Sequence, residues 1–136
     1  MHPILRNILA VIAGIVVGSL VNMGLINISS SVIPLPEGVD MSTPEGLKAG
    51  IHLFEPKHFI FPFLAHALGT LTGAFVAAKL AANNKMKFAL GLGVFFLIGG
   101  ITAVYMIPAP MWFNILDLVV AYIPMAWLGG KLAHRG

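Results

Sequence analysis

Apolar residues fall in four long blocks along the chain, approximately Ile8–Ile28, Phe59–Leu80, Phe88–Ile107 and Trp112–Gly130, with polar residues gathered between them. A bilayer-crossing helix needs about 20 mostly apolar residues, and each block meets that length. The first block follows Arg6 in the manner of a secretory leader. Its apolar run exceeds the roughly 7–15 residues of a leader's core, and no small-residue cleavage pattern follows, so it reads as a retained span. Blocks two and three are joined by Ala81–Lys87, and blocks three and four by Pro108–Met111. Links this short force neighbouring helices to run antiparallel. The expected fold is therefore an all-α integral membrane protein, an antiparallel four-transmembrane-helix bundle forming a single membrane domain over residues 1–136. No internal repeat is visible, which argues against an inverted-repeat transporter.

The first connection, residues 29–57, is the exception in length. Ser29-Ser30-Ser31 followed by Pro34 and Pro36 suits an extended segment. Ser42-Thr43-Pro44-Glu45 has the form of a helix start, with a capping-box spacing and proline in the first turn. A short extracytoplasmic amphipathic helix from about Pro44 to Phe54 is expected. Leu47, Ile51 and Phe54 share one face of it, and Glu45, Lys48, His52 and Glu55 another. Such a helix lies on the membrane surface or caps the mouth of the bundle.

Composition narrows the class. Hydrophobic residues make up 58% of the chain and charged residues 10%, against about 45–50% and about 25% in soluble domains. An ordinary soluble globule and a disordered chain are both excluded. The absence of cysteine excludes disulfide frameworks, thiolate metal sites and cysteine nucleophiles. The net charge of +3 acts as a topology signal. Arg6, Lys79, Lys85, Lys87, Lys131 and Arg135 fall on one side of the spans, and only Lys48 and Lys57 on the other. This bias predicts a multi-pass protein of the cytoplasmic (inner) membrane with both termini in the cytoplasm. The basic residues are dispersed around spans rather than clustered on a soluble face, so the expected partner is the lipid bilayer and not nucleic acid.

Two stripes of small residues recur every four positions: Ala10, Gly14, Gly18 and Asn22 in the first block, and Ala65, Gly69, Gly73, Ala77 and Ala81 along the second. Helices in lipid associate by close packing through such residues. The stripes could meet inside one subunit, or form the seam of a homo-oligomer or a larger membrane complex. Pro62 and Pro124 each remove a helix hydrogen bond and predict a kink, and one at Pro124 would widen the outer half of the bundle.

Polar residues inside the blocks are unevenly placed. With directions set by the charges, Asn22, His66, Thr70, Thr72, Thr102, Tyr105, Asn114 and Asp117 all fall in the outer half. The helical rise of roughly 1.5 Å per residue places His66 about 10–12 Å below the outer surface and Asp117 about 5–9 Å below it. Asp117 is the only acid within a span, and an ionised carboxylate there costs a few kcal/mol unless it is paired or wetted. His66 is its economical partner. On a functional reading the two form a protonatable site for a small solute, cation or proton, with Asn22 and Thr70 as supporting ligands. On a structural reading Asn114 caps the fourth span, Asp117 meets the helix dipole, and His66 simply bonds a neighbouring helix.

A second constellation, His52, Glu55 and His58, has the spacing H-x-x-E-x-x-H. Histidine and carboxylate at these intervals could ligate zinc or iron, although Pro56 interrupts the helix that would align them. No other cofactor is expected, because neither a phosphate-binding glycine loop nor a nucleophile elbow occurs. Three function classes remain: a solute-binding or transport protein, an accessory or assembly subunit of a larger membrane complex, and a metal-dependent membrane enzyme.

Overall fold

The computed structural model describes residues 1–135. Among them, four helical stretches are long and apolar enough to cross a membrane: Pro3–Val32, Pro56–Leu80, Lys85–Met106 and Met111–Arg135. They form an antiparallel bundle, the last three joined by short links, whose outer surface is lined with large apolar side chains such as Ile8, Val16, Ile98 and Trp127. The chain is a small multi-pass membrane protein.

Helix α1 spans Pro3–Val32 and is longer than its apolar block. Proline in its first turn costs no hydrogen bond, and His2 caps the start by accepting the Ile4 N–H at 3.1 Å. The serine run does not open an extended segment as expected. The Ser29 hydroxyl donates to the Ile26 carbonyl at 2.7 Å, satisfying itself against the helix it belongs to. Helix α1 stops where Ile33 turns extended, as a residue before proline must. Helix α2 covers Pro44–Gly50. Its cap is Thr43, whose hydroxyl accepts the Gly46 N–H at 3.0 Å, while Ser42 is engaged with Asp40. A 3-10 turn, Ile51–Leu53, follows it, and a second, Pro56–Phe59, leads into α3, Ile60–Leu80.

The two prolines behave differently. Pro62 lies in the first turn of α3, where its missing N–H would have had no helical partner. Helix α4 covers Lys85–Met106. The fourth span is broken into α5, Met111–Val120, and α6, Ile123–Arg135, by a turn at Ala121-Tyr122. Pro124 falls in the first turn of α6, and the interruption lies in the turn just before it, where a proline removes the bond to the carbonyl four residues back, as the sequence predicts.

Helix α3 occupies the centre. Along one flank α1 packs against it backbone to backbone. A Cβ added at Gly14 would stand 2.6 Å from the Gly73 carbonyl oxygen, and one at Gly18 2.7 Å from that of Gly69. The reverse additions, at Gly73 and Gly69, would stand 2.7 and 2.9 Å from the carbonyls of Gly14 and Gly18. The two glycine stripes therefore meet within one chain. On the other flank α6 and α4 enclose α3, with Gly129 against the Leu71 carbonyl and Gly93 against Ala126. Ala74, Ala77, Ala78, Ala89, Leu92 and Ala126 form the buried core between them.

At the end bearing both termini, α1 is tied to the α3–α4 turn. Arg6 Nε donates to the Leu80 carbonyl at 2.7 Å, and the Asn7 side chain accepts the Ala82 N–H at 2.7 Å. Lys85 Nζ donates to the carbonyls of Ala78, Lys79 and Ala81, closing the last turn of α3. Helix α1 barely meets α4, however. Toward the end carrying the long connection, a cavity lies between them over α3.

Candidate functional site

The cavity measures about 380 Å³. Its back is α3, from Pro62 to Thr70, and its sides are α1 at Gly18, Asn22 and Ile26 and α4 from Phe96 to Val104. The Phe96 ring reaches across to Gly18 and Gly73 and makes the floor. Below it the core alanines and Leu92 are fully buried. The first connection supplies the roof through Met41, Leu47, Ile51 and Phe54. This roof is held by apolar packing of Ile51, Phe59 and Phe113, with the Phe59 and Phe113 rings 4.6 Å apart. The expected amphipathic helix thus caps the bundle with its Leu47–Ile51 face turned inward.

The lining is overwhelmingly apolar, and its polar groups are few. Asp117 and His66 come from different helices and meet directly. His66 Nδ1 lies 2.8 Å from Asp117 Oδ1 and 3.0 Å from Oδ2. A carboxylate only accepts, so the Nδ1–H donates and the proton of the neutral ring is assigned to that nitrogen. Asp117 is 5% exposed and also accepts from the Tyr122 hydroxyl at 3.2 Å. The Tyr122 ring stacks on that of His66 with centroids 5.9 Å apart. Two donors thus hold the buried carboxylate, which is what a charge at this depth requires. The other face of the imidazole is left free. Among the described residues, His66 Nε2 has no hydrogen-bond partner, and the half-buried ring lines the cavity.

Thr70 and Asn22 lie beside the pair without bonding to it. Thr70 is one turn beyond His66 on the same face of α3 and is 1% exposed. Its hydroxyl has no partner among the described residues. Thr72 and Thr102 show the usual alternative, each donating to the carbonyl four residues back at 2.8 Å. Asn22 Oδ1 is likewise buried and unpartnered, and its Cβ lies against Gly69, the residue preceding Thr70. An unsatisfied buried hydroxyl or amide costs about 1–3 kcal/mol. Two such groups lining one apolar cavity mark a place where something else supplies the partner.

The helix start falls elsewhere than the capping reading supposes. Pro110 is the N-cap of α5, and Asn114 and Asp117 both lie inside the helix and line the cavity. Tyr122 and Phe96 were not singled out from sequence. Tyr122 is five residues beyond Asp117, about 140° around an uninterrupted helix. Only the turn at Ala121-Tyr122 swings its hydroxyl back onto the carboxylate. The nearest sequence signal was Pro124, two residues on.

The H-x-x-E-x-x-H residues are not on one helix. Phe54 and Glu55 are extended, separating the two 3-10 turns. His58 has both ring nitrogens occupied by backbone: Nδ1 accepts the Glu55 N–H at 2.8 Å and Nε2 faces the Pro34 carbonyl at 3.1 Å. It staples the first connection to the start of α3. His52 is exposed, and Glu55 pairs with Lys57 at 3.5 Å on the surface. Among the described residues no three histidine, aspartate or glutamate side chains gather as a metal site.

No protein-family model, characterised protein or solved structure matches this chain to a significant degree.

Proposed function

We propose that this membrane protein binds a small, mostly apolar solute in the cavity between α1, α3, α4 and α5, recognising one polar group on it through His66. The observation that carries this reading is the His66–Asp117 pair. The carboxylate fixes the imidazole by one nitrogen and leaves the other without a partner, on a ring that lines an apolar space of about 380 Å³, a volume at the lower end of the roughly 300–1,000 Å³ of small-molecule pockets.

Several features favour a neutral solute over a cation and binding over conduction. The Asp117 carboxylate is already taken up by His66 and Tyr122, and the remaining lining offers a cation little. Beneath Phe96 the backbones of α1 and α3 touch at Gly14 and Gly73, which closes the half nearer the termini. The excess of lysine and arginine at that end supports a topology with both termini in the cytoplasm and the cavity in the outer half of the membrane.

Native mass spectrometry of protein extracted gently from its own membranes tests the reading. Ala103 lines the cavity, and Ala103→Phe fills part of it. The wild-type protein is expected to carry a small-molecule adduct that a folded Ala103→Phe protein lacks. A bare wild-type mass, or the same adduct on both proteins, would overturn it. An added protein subunit in place of a small molecule would turn the assignment to an accessory role.

A further inference from the structure

Resting on that reading, we infer the chemical class of the solute: a lipid-phase alcohol, a long apolar molecule ending in a hydroxyl, that reaches the cavity sideways from the bilayer between α1 and α4. The unmatched polar atoms set the head group. In the neutral tautomer that Asp117 holds, His66 Nε2 carries a lone pair and accepts. The buried Thr70 hydroxyl has no partner and can donate, and the Asn22 carboxamide can do either. A hydroxyl answers this set, because it donates to Nε2 while its oxygen accepts from Thr70 or Asn22. A carbonyl or an ether leaves Nε2 facing apolar space with nothing to accept. A carboxylate or phosphate would bring a second negative charge close to Asp117 with no lysine or arginine on the cavity wall to balance it.

The route follows from what surrounds the space. Met41, Leu47, Ile51 and Phe54 roof it, Phe96 floors it, and α3 backs it. Residues of α5 close another side, and the remaining side lies between α1 and α4, which touch little and whose exposed surfaces carry apolar residues such as Leu20 and Ile98. A built Cβ at Gly99, on the α4 wall, meets no atom within 4 Å. An apolar tail therefore leaves the cavity directly into hydrocarbon, with no water to cross.

The test is photo-crosslinking in liposomes with a dodecanol bearing a diazirine on its chain, competed by dodecanol, by its methyl ether and by dodecane. Saturable labelling is expected on cavity residues such as Phe96, Val104 and Phe113. Dodecanol should compete at about one-tenth the concentration the ether needs, the usual worth of one satisfied hydrogen bond at a buried acceptor. Labelling should follow the mole fraction of probe in the bilayer when the lipid-to-water ratio is changed. His66→Phe and Thr70→Val should each shrink the preference for alcohol over ether. That ratio is internal to each variant and does not depend on its yield. Saturable cavity labelling with alcohol and ether competing equally would overturn the alcohol assignment and leave the binding cavity standing. Labelling that never saturates, or that falls only on the lipid-facing side of α1 at Leu9 and Val16, would overturn both. Labelling that follows aqueous probe concentration would overturn the bilayer route.

Discussion

Substituting Gly18 by alanine tests the packing that creates the cavity. Gly18 stands in the α1–α3 seam and on the cavity wall at once. The added methyl would lie 2.7 Å from the Gly69 carbonyl oxygen and 2.9 Å from the Phe96 ring. Ordinary contact between carbon and its neighbours begins at roughly 3.5 Å, so α1 must retreat by somewhat under an ångström or Phe96 must turn away. A gap of about 0.5–1 Å forfeits a quarter to a half of the dispersion attraction along the seam. Overpacking of this kind costs about 1–3 kcal/mol. Alanine also gains about 1 kcal/mol over glycine in helix propensity, which masks part of that cost. Gly24, on the same helix, has nothing within 4 Å of its built Cβ, so Gly24→Ala collects the propensity gain without the clash. The difference between the two variants isolates the steric part and should be about 1–3 kcal/mol. Reversible unfolding in mixed micelles of lipid and denaturing detergent measures it. Equal stabilities for Gly18→Ala and Gly24→Ala would refute the backbone-to-backbone seam.

Asp117→Leu removes the acceptor of both His66 and Tyr122 and should destabilise the fold by about 2–5 kcal/mol, because a buried and a half-buried donor lose their partner. Asp117→Asn, which retains one acceptor oxygen, should cost less than half as much in the same unfolding assay. Lys85→Met strips the ammonium from the last carbonyls of α3 and should cost about 1 kcal/mol, with faster amide exchange confined to Ala81–Asn84. In the first connection, the Asp40 carboxyl is held below its ordinary value, first by the Ser42 hydroxyl and then by the Ser42 N–H. A lowered folded value means that this turn adds stability above the ordinary carboxylate range and loses it as pH falls through the lowered one. Ser42→Ala should therefore move the Asp40 titration upward without restoring it fully, as followed by carbon NMR of the carboxyl.

The architecture was legible because it rests on length and composition. Twenty apolar residues in a row have few alternatives to a membrane helix, and links as short as Pro108–Met111 leave antiparallel pairing as the simple solution. The glycine stripes could be read as packing faces, but their pairing could not, since one chain shows only that both are sticky. The His66–Asp117 contact was within reach for a similar reason: depth can be counted along a helix, and a lone intramembrane acid has few partners. What escaped was set by local breaks. The break at Ala121-Tyr122 could be anticipated from Pro124, but its direction could not, so Tyr122 gave no sign of reaching Asp117. The serine run at 29–31 reads as a loop from propensity, yet a hydroxyl that bonds its own helix costs little there. Likewise H-x-x-E-x-x-H holds its ligand spacing only if the helix continues, and extended residues at Phe54 and Glu55 end it.

The central claim is that Asp117 fixes His66 so that Nε2 faces a solute in the cavity. Nitrogen NMR of selectively labelled His66 in lipid bilayers examines it directly. The protonated nitrogen should be Nδ1, with Nε2 bearing the lone pair, and the Nε2 resonance should shift on titration with dodecanol while that of Nδ1 stays nearly fixed. A ring protonated at Nε2, or one whose Nε2 resonance ignores dodecanol, would contradict the account.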